Sequence, residues 1–264
     1  MRRNVTAHLS IDVTVPSELA MSVAVAERTG GLTETLDVRL DGVPLKASLI
    51  EDAHGTRLHA IRTDVGKLTI DYSAVIEGRE PPELCSERDR VRYVRPSRYC
   101  ESDELAATAV AEFGGLTGYA LLEGVSSWVG TRLAYMPRSS LPTDGAVRTL
   151  LARAGVCRDY AHLCAALLRA SGVPARVVSV YAPGLSPMDF HAVCEAAIDG
   201  VWCVVDATAL APRTSLVRIA TGRDGADTAF MTVLSGHADL LDMMVSAVVD
   251  VLPDDNMMAA THLG

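Results

Sequence analysis

Gly155-Val156-Cys157-Arg158-Asp159-Tyr160-Ala161-His162-Leu163-Cys164-Ala165-Ala166-Leu167-Leu168-Arg169-Ala170, closed by Ser171-Gly172-Val173-Pro174-Ala175-Arg176, is the stretch on which the reading of this chain turns. Apolar residues at 160, 161, 164, 167 and 168 recur with a helical period, and Gly172 followed by Pro174 is a stop signal. The pattern predicts a helix of about four turns with Cys157 in its first turn. A thiol there feels unpaired backbone N–H groups and the positive end of the helix dipole, which favours thiolate over thiol. That is the setting of a nucleophile.

Downstream the apolar period changes from about 3.6 to 2. Ala175 to Tyr181 reads as a strand, and Phe190 to Ile198 and Val201 to Ala207 read as a hairpin joined by Asp199-Gly200, a sequence suited to a type I′ turn. With that turn Ile198 faces Val201, and the register continued toward the open end sets Val193 opposite Asp206 and His191 opposite Thr208. His191 and Asp206 then project from one face as diagonal neighbours, roughly 7–8 Å apart at the backbone. Glu195 shares that face as a rim residue. The other face carries Ala192, Cys194, Ala196 and Ile198 against Val201, Cys203, Val205 and Ala207, and is expected to be core.

A cysteine at a helix start and a His/Asp pair on adjacent strands suit nucleophilic acyl chemistry. The thiolate attacks a carbonyl, the imidazole moves a proton, and the carboxylate holds the imidazole tautomer. The Cys157 backbone N–H is the natural first donor to an oxyanion. Trp128, Tyr135 and Tyr181 are candidates for the second, with none preferred. Cys164, on the core side of the helix, and Cys194 and Cys203 on the apolar hairpin face read as packing, and Cys85 and Cys100 carry no signal. His162 lies about 140° round the helix from Cys157 and is assigned a structural hydrogen bond. Arg158 and Asp159 either border the cleft or serve the helix dipole.

Four segments in order resemble the transglutaminase-like superfamily, in its bacterial cysteine-protease branch. They are Gly155 to Ala161, Arg169 to Val178, Phe190-His191-Ala192 with Glu195, and Trp202 with Val205 to Thr208. The resemblance covers roughly residues 95 to 225 and extends to a preceding β domain. It implies a papain-like core with Cys157 as nucleophile, His191 as general base and acid and Asp206 as orienting residue, acting on a peptide or protein substrate. Ile219 to Asp224 also resembles that branch, without a role attached to it.

Before the helix, short alternating segments fill the first 80 residues: 4–15, 19–26, 35–40, 44–50, 57–63 and 67–76, separated by turn signals such as Asp41-Gly42 and His54-Gly55. An antiparallel β-sandwich over 1–80 is expected. Glu77 to Glu83, with two consecutive prolines, reads as a linker, and 81–264 as the transglutaminase-like catalytic domain of helices packed on an antiparallel sheet, an α+β fold. Helices are expected over 105–113, with Ser102 as N-cap, over 117–135, and from about 144 to 153. Later strands fall between Phe230 and Val251, with Met243-Met244 and Met257-Met258 as filler.

Composition bounds the rest. With 49% hydrophobic residues and 22% charged among 264, the chain can build a core. A net charge of -9, from 24 basic and 33 acidic residues, argues against a nucleic-acid partner. The start lacks the apolar core of a signal peptide and no apolar run reaches the ~18 residues of a membrane span, so no membrane partner and a cytoplasmic location are expected. Six cysteines without close repeated spacing do not form a disulfide framework, and the absence of CxxC and HExxH leaves no metal or cofactor motif. The function expected is acyl transfer through a Cys157 thioester, as hydrolysis of a peptide, isopeptide or glutamine-type amide. Transamidation to an amine or alcohol acceptor and a non-catalytic interaction module are the alternatives. Oligomeric state is left open.

Overall fold

The computed structural model describes residues 1–256 and 259–264. The Met257-Met258 pair expected as filler lies outside the described residues. The first half holds β1 (Arg2–Met21), β2 (Leu32–Leu40), β3 (Val43–Pro44), β4 (Ser48–Glu51), β5 (Arg57–Thr63) and β6 (Gly66–Glu77). The second holds α1 (Glu87–Tyr93), α2 (Ala106–Phe113), α3 (Gly118–Arg132), β7 (Ala134–Tyr135), α4 (Ala146–Ala152), β8 (Ala154–Gly155), α5 (Cys157–Ala170), β9 (Ala175–Tyr181), β10 (Phe190–Ile198), β11 (Val201–Val205), β12 (Val217–Gly222), α6 (Gly225–Thr228) and β13 (Met231–Val249).

The alternation of Val5, Ala7, Leu9, Ile11 and Val13 buries all five side chains, so β1 is the spine of the first sheet. The segments expected at 4–15 and 19–26 are joined in one strand that runs through Pro16 to Met21. Proline has no N–H for a ladder, and the register of β1 against β13 shifts on both sides of Val15, which bends the strand. One edge of β1 is taken by β13; the other is shared by β6 over Arg2 to Val13 and β5 over Ser17 to Met21. The expected antiparallel β architecture is thus one seven-stranded sheet curled on itself. Gly236 of β13 sits at the bend, where an added Cβ would lie 2.3 Å from the Pro16 carbonyl oxygen.

β13 belongs to the first sheet although the division near residue 80 placed residues 231–249 with the second half. The two ends of the chain therefore build one sheet. The buried core on that sheet also takes Tyr181 of β9 and Val217 and Ile219 of β12, and the Tyr181 hydroxyl donates to the Val23 carbonyl at 2.7 Å. Both halves pack as a unit.

In the second sheet the order is β11-β10-β9-β12, all antiparallel. The β10–β11 register is the expected one, from Ile198 opposite Val201 to Cys194 opposite Val205, with positive φ at Asp199 (51°) and Gly200 (79°) as a type I′ turn requires. Cys194, Ala196, Ile198, Cys203 and Val205 lie in one core with Leu163, Cys164, Leu167 and Leu168 of α5. Helix ends differ from the expected ones. Ser102 does not cap α2, whose N-cap is Leu105, and the helix expected to reach Tyr135 stops at Arg132 because Ala134 and Tyr135 pair with β8. α1 had no counterpart in the sequence reading, although Ser86 and Asp89 form a reciprocal capping box at its start.

Candidate active site

The start of α5 is held by its own sequence. Val156 donates its backbone N–H to Asp159 Oδ2 at 2.7 Å, and the Ser140 hydroxyl donates to Asp159 Oδ1 at 2.8 Å. Burial pushes the Asp159 carboxyl up, against those hydrogen bonds and the nearby Arg158 charge, which favour its ionised form. Gly155 leaves the room: a Cβ there would come within 2.7 Å of the Asp159 Cβ. Arg158 Nη2 donates to Ser140 Oγ at 3.0 Å and to the Leu141 carbonyl at 2.9 Å. Both residues, left open between cleft and dipole, therefore tie the 140–141 loop to the helix start. Cys157 is only partly buried, at the first position of the helix.

His191 is the second residue of β10 and is 2% exposed. Its Nε2 pairs with Asp206 Oδ2 at 3.0 Å. The expected ladder contact between Val193 and Asp206 is not made, because pairing of β10 with β11 ends at Cys194 and Val205. Asp206 opens a turn instead, its Oδ1 accepting from the Thr208 N–H at 2.9 Å and hydroxyl at 2.7 Å, and from that turn the other oxygen reaches His191. With Nε2 engaged, Nδ1 is buried and has no hydrogen-bond partner among the described residues. Cys157 is beside it, close enough to act on the charge of the ring.

Burial alone would push the His191 imidazole down, but the charge and hydrogen bond of Asp206, joined by Cys157, raise it to about 10. Burial likewise opposes the Asp206 carboxylate, and His191 and Thr208 hold it below the usual range. Both directions favour a buried imidazolium–carboxylate pair.

Tyr135 sits beside the segment that leads into Cys157. β7 and β8 pair in parallel, with Tyr135 opposite Gly155, and burial, then the charge of nearby Cys157, pushes its phenol up to about 12. The other two candidates for an oxyanion donor are engaged elsewhere: Trp128 Nε1 donates to Glu112 at 2.8 Å and the Tyr181 hydroxyl to Val23. Burial raises the thiols of Cys85, Cys100, Cys164, Cys194 and Cys203 above the ordinary value.

Glu195 lies outside the site. It is buried between Arg176 and Arg218, at 2.7 Å and 2.9 Å, and the Arg176 guanidinium stands 4.0 Å from the centre of the Trp202 ring. His162 is fully buried, and burial lowers its imidazole to about 3, so the ring is neutral. Its Nε2 accepts the Gly225 N–H at 2.8 Å, as the structural reading of the residue requires. Asp224 Oδ2 accepts the Tyr99 N–H at 3.0 Å, and Arg169 Nη2 donates to the Arg223 carbonyl. These bonds supply the missing role of the 222–225 loop: it clamps the flank of α5 away from the thiol. The clamp was illegible in sequence because its bonds join residues 54, 63 and 125 positions apart along the chain.

Residues 89–207 match the family described as the Transglutaminase-like superfamily. The crystal structure of "a Putative Cysteine Protease from Cytophaga hutchinsonii" is 31% identical to this chain, covers 100% of it and 98% of its own length, and superposes with a TM-score of 0.89. The periplasmic domain of TgpA from Pseudomonas aeruginosa is 20% identical over 77% of this chain and 90% of its own, with a TM-score of 0.42. No curated protein matches the chain. Match along the full length to the Cytophaga protein, curled sheet included, means that this chain belongs to the transglutaminase-like superfamily, in the bacterial branch that protein represents.

Proposed function

We propose that this protein is a cysteine-dependent acyl-transfer enzyme that hydrolyses a peptide, isopeptide or glutamine-type amide, with Cys157, His191 and Asp206 as its triad. The observation that carries the reading is the orientation of His191: Asp206 holds Nε2, which leaves Nδ1 for the thiol at the start of α5. In the forward step Cys157 Sγ bonds to the amide carbon, and the carbonyl π pair moves to oxygen. Return of that pair breaks the C–N bond, and the leaving nitrogen takes the proton from His191. Water, losing a proton to His191, then cleaves the thioester and releases the acid.

Hydrolysis is preferred to transfer because the Cytophaga relative carries the description "a Putative Cysteine Protease". Profiling with peptide and isopeptide libraries tests the proposal. The wild type should release free acid and Cys157→Ala should not. Stable product formed only with an added amine would replace hydrolysis by transamidation, and a Cys157 that reacts with a thiol-selective reagent no faster than the other cysteines would point to an interaction module.

A further inference from the structure

A basic groove lies against α5, away from Cys157. Residues 88–98 hold five arginines in a chain of net charge -9, and all five are exposed. The one acid among them, Asp89, is buried in the capping box of α1. Arg88 and Arg92 on α1, Arg95 after it and Arg223 of the 222–225 loop line a groove of about 800 Å³. Arg223 is bound by Asp227 at 3.0 Å, and Glu87 at the rim faces Arg90 at 3.5 Å. Among the described residues Arg88, Arg92 and Arg95 make no ion pair and no side-chain hydrogen bond. The walls are fixed by a buried side chain. Arg169 of α5 donates through Nη1 to the Arg95 carbonyl at 3.3 Å and to the Ser97 hydroxyl oxygen at 3.0 Å, and through Nη2 to the Arg223 carbonyl. Buried Tyr93, edge-on to Trp202, seats α1. Three cations crowded on a fixed frame repel one another until an anion joins them.

We infer that this groove docks an acidic segment of the polypeptide substrate, so that the enzyme selects chains with a run of Asp or Glu at a set distance from the scissile bond. Arg88 and Arg92 are about one turn apart, roughly 6 Å along the helix axis. Alternate side chains of an extended peptide repeat every ~6.6–6.8 Å on one face, so carboxylates at i and i+2 match the two guanidiniums, with Arg95 beyond them in the same groove. Val91 and Pro96, both exposed, also line it and offer apolar surface to the stems of those side chains. The net charge of -9 repels a long polyanion such as duplex DNA, whereas a short acidic run engages the groove alone. The groove is also within reach of the nucleophile. A Cβ at Gly225 would lie 3.1 Å from Arg158 Cδ, and Arg158 follows Cys157 in the chain. Those links put Arg223 Cα within about 20 Å of Cys157 Cα, roughly six residues of extended peptide. That the docked chain is the substrate rests on the acyl-transfer reading above; that the groove takes an acidic peptide does not.

Binding is read on Cys157→Ala, free of turnover, by the anisotropy of a fluorescein-labelled hexaglutamate peptide, with hexaglutamine as control. Hexaglutamate should bind and hexaglutamine should not. Arg88→Gln, Arg92→Gln and Arg95→Gln together should raise Kd about tenfold or more, and salt raised from about 50 to about 300 mM should weaken binding to the parent. Arg2→Gln, Arg148→Gln and Arg153→Gln together remove exposed cations outside the groove and should leave Kd within about twofold. No binding by the parent, or an equal loss in both triple variants, overturns the inference. Tighter binding of polyphosphate or single-stranded DNA than of hexaglutamate also overturns it and assigns the groove to phosphate groups. In cleavage, peptides with Asp or Glu about six residues from the cleaved amide should show a lower KM than their Gln counterparts at equal kcat, and the groove variant should lose that difference. Cleavage without the difference overturns the substrate role and leaves the acyl-transfer reading standing. A wild type that binds hexaglutamate but cleaves no peptide sinks the acyl-transfer reading, and the substrate role with it.

Discussion

His191 gives Nε2, rather than Nδ1, to Asp206 at 3.0 Å, and both groups are buried. The imidazole can thus serve Cys157 only through Nδ1, and the carboxylate decides which nitrogen carries the fixed proton. Asp206→Asn should keep the turn near Thr208 but abolish the charge that raises His191. The imidazolium is then lost at lower pH, so the thiolate loses its partner near neutrality. Activity should fall roughly 10²–10⁴-fold. The rate of Cys157 alkylation against pH should show its rise displaced upward; a profile identical to wild type would rule out this role for Asp206.

The same pair gives stability a pH dependence. His191 is raised from 6.5 to about 10 in the folded state, so its contribution is complete below 6.5 and lost as pH rises through about 10. Asp206 is lowered from 3.8, so its contribution is present above 3.8 and lost as pH falls through the depressed folded value. The melting-temperature gap between wild type and Asp206→Asn should be widest between 3.8 and 6.5 and shrink toward pH 10. A gap that stays constant across that range would contradict the ion pair.

Asp224→Ala strips acceptors from the N–H groups of Tyr99 and Ala226, each bonded at 3.0 Å. Both bonds are part-buried, so the variant should lose roughly 1–3 kcal/mol in urea unfolding. Cys157 should still be labelled at the wild-type rate while folded. Loss of labelling at full stability would move the 222–225 loop from support into the reaction.

Glu195→Ala leaves Arg176 and Arg218 without their buried carboxylate. Breaking a buried pair from one side costs about 3–5 kcal/mol. Urea unfolding should show that loss, while the surviving folded fraction keeps its acyl-transfer rate per active site. If stability holds and turnover collapses, Glu195 works in the site after all.

Gly225→Ala puts a Cβ 3.0 Å from His162 Nε2 and 3.1 Å from Arg158 Cδ. Both neighbours must yield, and Arg158 also holds the 140–141 loop. The variant should be less stable by about 1–3 kcal/mol, as for overpacked sites, and more easily cut by protease within residues 136–145. A melting temperature equal to wild type would show that the loop shifts without cost.

Several features were legible because they are properties of near neighbours. Asp199-Gly200 determines the hairpin turn, and the alternation on either side of it determines the register from Ile198 to Cys194. The period of α5 marked the face that Cys164, Leu167 and Leu168 bury. Asp206 was found for its residue type and position, yet the expected route to His191, along the ladder, is replaced by a turn in which the carboxylate competes for backbone donors. Tyr135 stayed one of three candidates because a two-residue parallel bridge leaves no period to detect. The return of β13 to β1 was equally hidden: an alternating strand announces a buried face but not the partner on its edge.

By itself, then, the sequence determined the helix that begins at Cys157, the hairpin and the order of cysteine, histidine and aspartate, since turn chemistry and periodicity act over a few residues. Only the tertiary structure decided which imidazole nitrogen meets Asp206, which aromatic pairs with the segment leading into Cys157 and which loop braces His162. Those relations join elements far apart in the chain, and they exist only once α5 is packed on the second sheet and that sheet is closed against the first.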